Sequence, residues 1–88
     1  MSRPRKRTLP EHDDVQAWRE MGALIVRCFP SEGVAPEELL PRASNIMNET
    51  RAVNVLAWLE NGGYVRYDGS ARRWQLTSSG RRLASEAA

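Results

Sequence analysis

The sequence holds one cysteine and one histidine in 88 residues, and each scarcity closes a class of function. Cys28 has no partner for an internal disulfide and no Cys or His at metal-ligand spacing, so a disulfide framework and structural zinc are excluded. His12 stands beside Asp13 and Asp14 and reads as an exposed residue at a helix start. No apolar run approaches the ~18 to 20 residues that span a bilayer; the run Ala23-Leu24-Ile25-Val26 stops at Arg27. The charged start is followed by no apolar stretch of secretory type, so a mature cytoplasmic chain is expected. There is no Gly-rich phosphate loop and no Cys or Ser nucleophile beside an obvious base. The acidic pairs Asp13-Asp14 and Glu37-Glu38 sit at helix starts, where the dipole accounts for them. Neither an enzyme nor a cofactor site is expected.

Charge is what the sequence does have, and it is segregated. The net charge is +2. Arg3, Arg5, Lys6 and Arg7 make the first seven residues +4, residues 8–49 hold three cations against eight anions, and residues 50–88 hold six against three. Such a chain can present a basic face that draws a polyanion and an acidic back. Twelve of the thirteen cations are Arg, whose planar fork suits phosphates and guanine edges, although a GC-rich genome produces the same bias.

Length allows one domain. Residues 1–12 combine cations with Pro4 and Pro10 and have almost nothing to bury, so they read as a flexible basic arm ahead of a domain at 13–88. Beyond a cap at Asp13 or Asp14, apolar residues at helical spacing predict a first helix over about 14–29, ended by Pro30 and Ser31-Glu32-Gly33. Ala35-Pro36-Glu37-Glu38 starts a second. Pro41 then removes a backbone donor five residues in and either kinks this helix or splits it. Asn45 and Asn48 are candidate caps for a third, which ends at Asn61-Gly62-Gly63. Its wheel places Ala52, Val53, Val55, Leu56 and Leu59 on an apolar arc, with Thr50, Arg51, Asn54, Trp58 and Asn61 opposite. Alternation after the glycines predicts a hairpin around Asp68-Gly69, with Val65, Tyr67, Trp74 and Leu76 on one face and Arg66 and Arg73 on the other. Thr77 caps a last helix, Ser78 to about Ser85, anchored by Leu83, with residues such as Ala84 and Glu86 fraying.

Leu56-Ala57-Trp58-Leu59-Glu60-Asn61-Gly62-Gly63-Tyr64-Val65, followed by Trp74-Gln75-Leu76-Thr77-Ser78-Ser79-Gly80, resembles the winged helix-turn-helix family of transcription regulators. The resemblance spans residues 13–85 and is most specific in the second half; Pro41 and Trp58 depart from the family pattern. It implies a mainly α fold with a small β-hairpin: a three-helix core, a two-stranded wing and a short C-terminal helix. It also implies a helix over 48–62 in the major groove of double-stranded DNA. Thr50, Arg51 and Asn54 are then the base-contacting candidates, Arg with guanine and Asn with adenine. Arg66, Arg72 and Arg73 of the wing, with Arg3, Arg5, Lys6 and Arg7 of the arm, are the phosphate-binding candidates. The competing readings are a charged hairpin edge that blocks aggregation and an arm that only solubilises.

Two functions from different classes are open at this point. One is a sequence-specific DNA-binding regulator, expected as a homodimer because one short helix buries too little for tight binding. The other is a winged helix turned to protein binding, such as a phage-type inhibitor or anti-CRISPR protein. The second rests on the acidic middle of the chain and on Trp58, which either meets a protein partner, packs in a dimer or is covered by helix two.

Overall fold

The computed structural model describes residues 14–86. The elements are α1 (Val15–Val26), α2 (Pro36–Ser44), α3 (Glu49–Asn61), β1 (Val65–Asp68), β2 (Arg73–Leu76) and α4 (Ser78–Glu86). This is the expected class, mainly helical with one small antiparallel hairpin, and its element order is compatible with a winged helix. The arm residues Arg3, Arg5, Lys6 and Arg7 lie outside the described residues.

Each helix is bounded by local chemistry. Asp14 caps α1, its carboxylate accepting the Ala17 N–H at 3.1 Å. The helix ends at Val26, earlier than expected, because Cys28 and Phe29 donate to the carbonyls three residues back, Ile25 and Val26, and such tightened turns do not propagate. In α2, Pro36 occupies the first turn, where its missing donor costs nothing. The open choice at Pro41 resolves as one continuous helix, Pro36–Ser44, with the proline inside it. One absent hydrogen bond is outweighed by the packing of Leu40 and Ala43 on the core, and the proline ring is exposed. Of the two candidate caps for α3, Asn48 takes the role, accepting the Arg51 N–H at 2.8 Å. The far end closes with Gly63 at φ 78°. Tyr64 donates to Leu59 O and Gly63 to Glu60 O, the paired bonds of a Schellman stop.

Val26, Val55, Leu59, Leu83 and Val34 are the largest fully buried side chains, so α1, α3 and α4 enclose the core while α2 lies along α3. The hairpin pairs Val65 with Leu76 and Tyr67 with Trp74 on one face, and Arg66 with Gln75 and Asp68 with Arg73 on the other. Its second edge is occupied by a one-residue bridge that the sequence pattern did not indicate. Val34 N–H donates to Trp74 O at 2.9 Å, and Trp74 N–H to Val34 O at 2.8 Å. The backbone of Trp74 is thus spent on Val34, so Tyr67 and Trp74 face each other as a non-hydrogen-bonded pair, the closer kind. Their rings lie 5.5 Å apart.

The Leu-Thr-x-x-Gly segment has a direct physical reading. The Thr77 hydroxyl accepts the Gly80 N–H at 3.2 Å and donates to Gly63 O, and Thr77 N–H donates to Tyr64 O at 3.0 Å. One residue therefore caps α4 and ties it to the end of α3. Gly80 is required by closeness: a Cβ there would lie 2.1 Å from the Tyr64 carbonyl oxygen, backbone against backbone. Ala84 and Glu86 do not fray, since Ala84 packs on the core and Glu86 pairs with Arg19. Gly80→Ala is expected to destabilise the chain by about 3 kcal/mol through overpacking, read from urea unfolding. Gly69→Ala, where nothing lies within 4 Å, is the control and should stay within about 0.5 kcal/mol of the parent.

Candidate nucleic-acid interface

The outward face of α3 is not the one the helical wheel drew. Ala52, Val55 and Leu59 point inward as expected, but Val53 is 49% exposed, and Trp58 is half-buried against the core. The helix is rotated so that Trp58 stacks between Trp18 of α1, with ring centroids 6.1 Å apart, and Tyr64, at 5.1 Å. An indole has far more surface to bury than a valine, so Trp58, which the wheel put opposite the apolar arc, goes in and Val53, which it put on the arc, turns out. Gly22 makes room for it: a Cβ there would meet Leu59 at 2.9 Å and Trp58 at 3.1 Å. Trp58 is therefore covered by α1 and not by α2.

Thr50 and Asn54 are exposed one turn apart. The Asn54 amide donates to the Thr50 carbonyl at 2.8 Å, which leaves its second N–H and its carbonyl oxygen for a ligand. Arg51 is half-buried on the flank that leads to Trp58 and has interactions of its own, so the three candidate base-contacting residues do not share one face. The rest of the outward surface is Glu49, Val53, Ala57, Glu60 and Asn61.

The hairpin divides its arginines. Arg66 and Arg72 are exposed. Arg73 is half-buried and donates to Gly33 O at 3.0 Å, so it clamps the hairpin to the turn before α2. Between the strands, the Asp68 carboxylate accepts N–H groups from Ser70 at 3.0 Å and Ala71 at 3.4 Å. Arg72 follows at φ 55°, a left-handed conformation uncommon for a side-chain-bearing residue.

A second polar cluster was not among the sequence candidates. Arg19 of α1 donates to the Tyr64 hydroxyl at 3.1 Å and forms an ion pair with Glu86. Glu86, chiefly through its hydrogen bond, holds the Arg19 guanidinium above the usual arginine range. Stability from such a raised group is complete below its unfolded pKa and is lost only as pH rises through the folded value. That window lies in strong alkali, so Arg19 adds no pH dependence near neutrality. The signal was hard to read in sequence, because its members lie 45 and 67 positions apart.

Comparison with protein-family models, with curated proteins and with solved structures gave no match. Among the described residues, no helix is long and apolar enough to cross a membrane, and no group of three or more His, Cys, Asp or Glu is placed to hold a metal ion.

Trp58→Ala is expected to cost about 3 kcal/mol, in line with loss of a large core aromatic, and Trp58→Phe clearly less. Urea midpoints together with the near-ultraviolet circular dichroism of the Trp18–Trp58 pair check this. Parent-like stability in the alanine variant would show that the stack does not hold the fold.

Proposed function

We propose that the chain is a winged-helix DNA-binding protein that grips the duplex backbone with the hairpin and the N-terminal arm and presents Thr50 and Asn54 to base edges. The observation that carries this reading is the division of labour in the hairpin. Val65, Trp74, Leu76 and Arg73 are tied to the body, and the cations left exposed, Arg66 and Arg72, are at liberty to meet phosphates beside the exposed Tyr67. Guanidinium forks suit phosphate oxygens. Arg3, Arg5, Lys6 and Arg7 add four positive charges to the same chain.

The rotation of α3 moves the base-reading role toward Asn54. With one amide N–H on Thr50 O, the other N–H and the carbonyl oxygen still match the N7 and N6 groups of adenine. Glu49 and Glu60 on the same helix oppose phosphate. Affinity must then come from the hairpin and arm, and it must be steeply salt-dependent.

The test is fluorescence anisotropy of the full chain on labelled duplexes at several salt concentrations, with and without unlabelled nonspecific competitor. Arg66→Ala with Arg72→Ala should weaken all duplexes alike and flatten the slope of log K against log salt by about 2. Asn54→Ala should lose about 1 to 3 kcal/mol of discrimination at one base pair. Arg73→Ala should lower the melting temperature more than it changes the slope. Absence of duplex binding at low salt, or an unchanged slope in the double variant, would overturn the proposal.

A further inference from the structure

We propose that the groove between α2, α3 and the hairpin docks an amphipathic helical segment of another protein, one that carries Lys or Arg beside its apolar anchors. The groove encloses about 270 Å³ and is walled by Leu39 and Leu40 of α2, Val53, Leu56 and Ala57 of α3, and Trp74 of the hairpin, with Glu60 the charged group in its lining. A second hollow of about 320 Å³ adjoins it at the start of α3, lined by Glu49, Thr50, Val53 and Asn54. Val53 belongs to both, so the two form one surface along the helix. Its middle is apolar, a carboxylate stands toward each end, and no cation lines either hollow.

Those facts choose the occupant. Glu49 and Glu60 are eleven residues apart, about 16 Å along a helix axis. That length matches three turns of a docked helix whose anchors recur at i, i+3 or i+4, and i+7. Cations flanking the anchors would meet the two carboxylates and set orientation more than affinity. Duplex DNA fits poorly on the apolar hollow, since its phosphates would face Glu60 and the polar groove edges would lie against Leu39, Leu40 and Leu56; the residues proposed to meet base edges, Thr50 and Asn54, lie in the adjoining one. A second copy fits poorly too. A two-fold pairing of this surface with itself would bring the carboxylates of one copy toward those of the other. The inference shares α3 with the DNA-binding proposal: the phosphate contacts rest on Arg66 and Arg72, outside both hollows, but Thr50 and Asn54 line the second, so a docked peptide and base edges would compete there.

The experiment is an NMR titration of the isotope-labelled full chain with a synthetic 14-residue Leu/Lys peptide of helical spacing, and with its Leu/Glu counterpart. The Leu/Lys peptide should shift the amides of Leu40, Val53, Leu56 and Ala57 and the Trp74 indole, and the Leu/Glu peptide should not. Val53→Asp should weaken the Leu/Lys peptide by about tenfold or more, as expected for a central anchor. Glu49→Lys with Glu60→Lys should reverse the preference between the two peptides. All three substitutions are at exposed positions, and spectra of the free variants report whether each is folded. Equal binding of both peptides, shifts that avoid the groove, or no shifts at millimolar peptide would overturn the proposal. So would duplex DNA shifting Leu40, Leu56 and the Trp74 indole, which line the apolar hollow and not the one that holds Thr50 and Asn54, or sedimentation showing a dimer that Val53→Asp dissociates.

Discussion

The arrangement depends on a single pair of backbone hydrogen bonds between Val34 and Trp74. A two-stranded hairpin is marginal in water by itself, and this one has only four residues in each strand. By exchanging both N–H···O bonds with Trp74, the buried Val34 turns the second strand into an interior one at its central position. The neighbouring residues are shaped around that pair. Gly33, at φ 90°, brings its backbone close enough that a Cβ would sit 2.7 Å from the Trp74 oxygen, and its carbonyl receives Arg73. The turn before α2 and the hairpin after α3 are thereby held as one unit, and the side chains that face solvent from the hairpin are held with it.

What could be read from the sequence was what is local. The caps at Asp14, Asn48 and Thr77 are side chains bonding to backbone three residues on, and the glycine stop after Asn61 is likewise set by its immediate neighbours. The alternation that put Val65, Tyr67, Trp74 and Leu76 on one face is a property of two short segments, and it was legible before the register was known. What escaped was decided across distance. Val34 and Trp74 are forty residues apart and pair through backbone, which leaves no mark in side-chain pattern. The rotation of α3 depends on Trp18 and Tyr64, neither of which lies on that helix. The helical wheel put Val53 on the apolar arc and Trp58 opposite it; only the packing partners reversed the two. For the same reason the candidate interface was legible as a set of residues, but which of them share a surface was not.

The aromatic stack also explains how so small a chain closes its back. Trp18, Trp58 and Tyr64 come from α1, α3 and the segment after it, and Arg19 extends the contact to Glu86 at the end of α4. One continuous seam thus gathers the first and last described helices around the third. The seam takes Trp58 away from the solvent side of α3 and gives that side Val53 in exchange. A single choice of which residue to bury therefore set the character of the outward surface, leaving it short of positive charge and rich in apolar and acidic groups.

Arg72 illustrates a different compromise. Its φ of 55° is a conformation that glycine adopts freely and that costs a side-chain-bearing residue on the order of 1 kcal/mol. Glycine or asparagine would hold this shape at less cost, so the turn stores a small strain at a guanidinium-bearing residue placed immediately before the second strand.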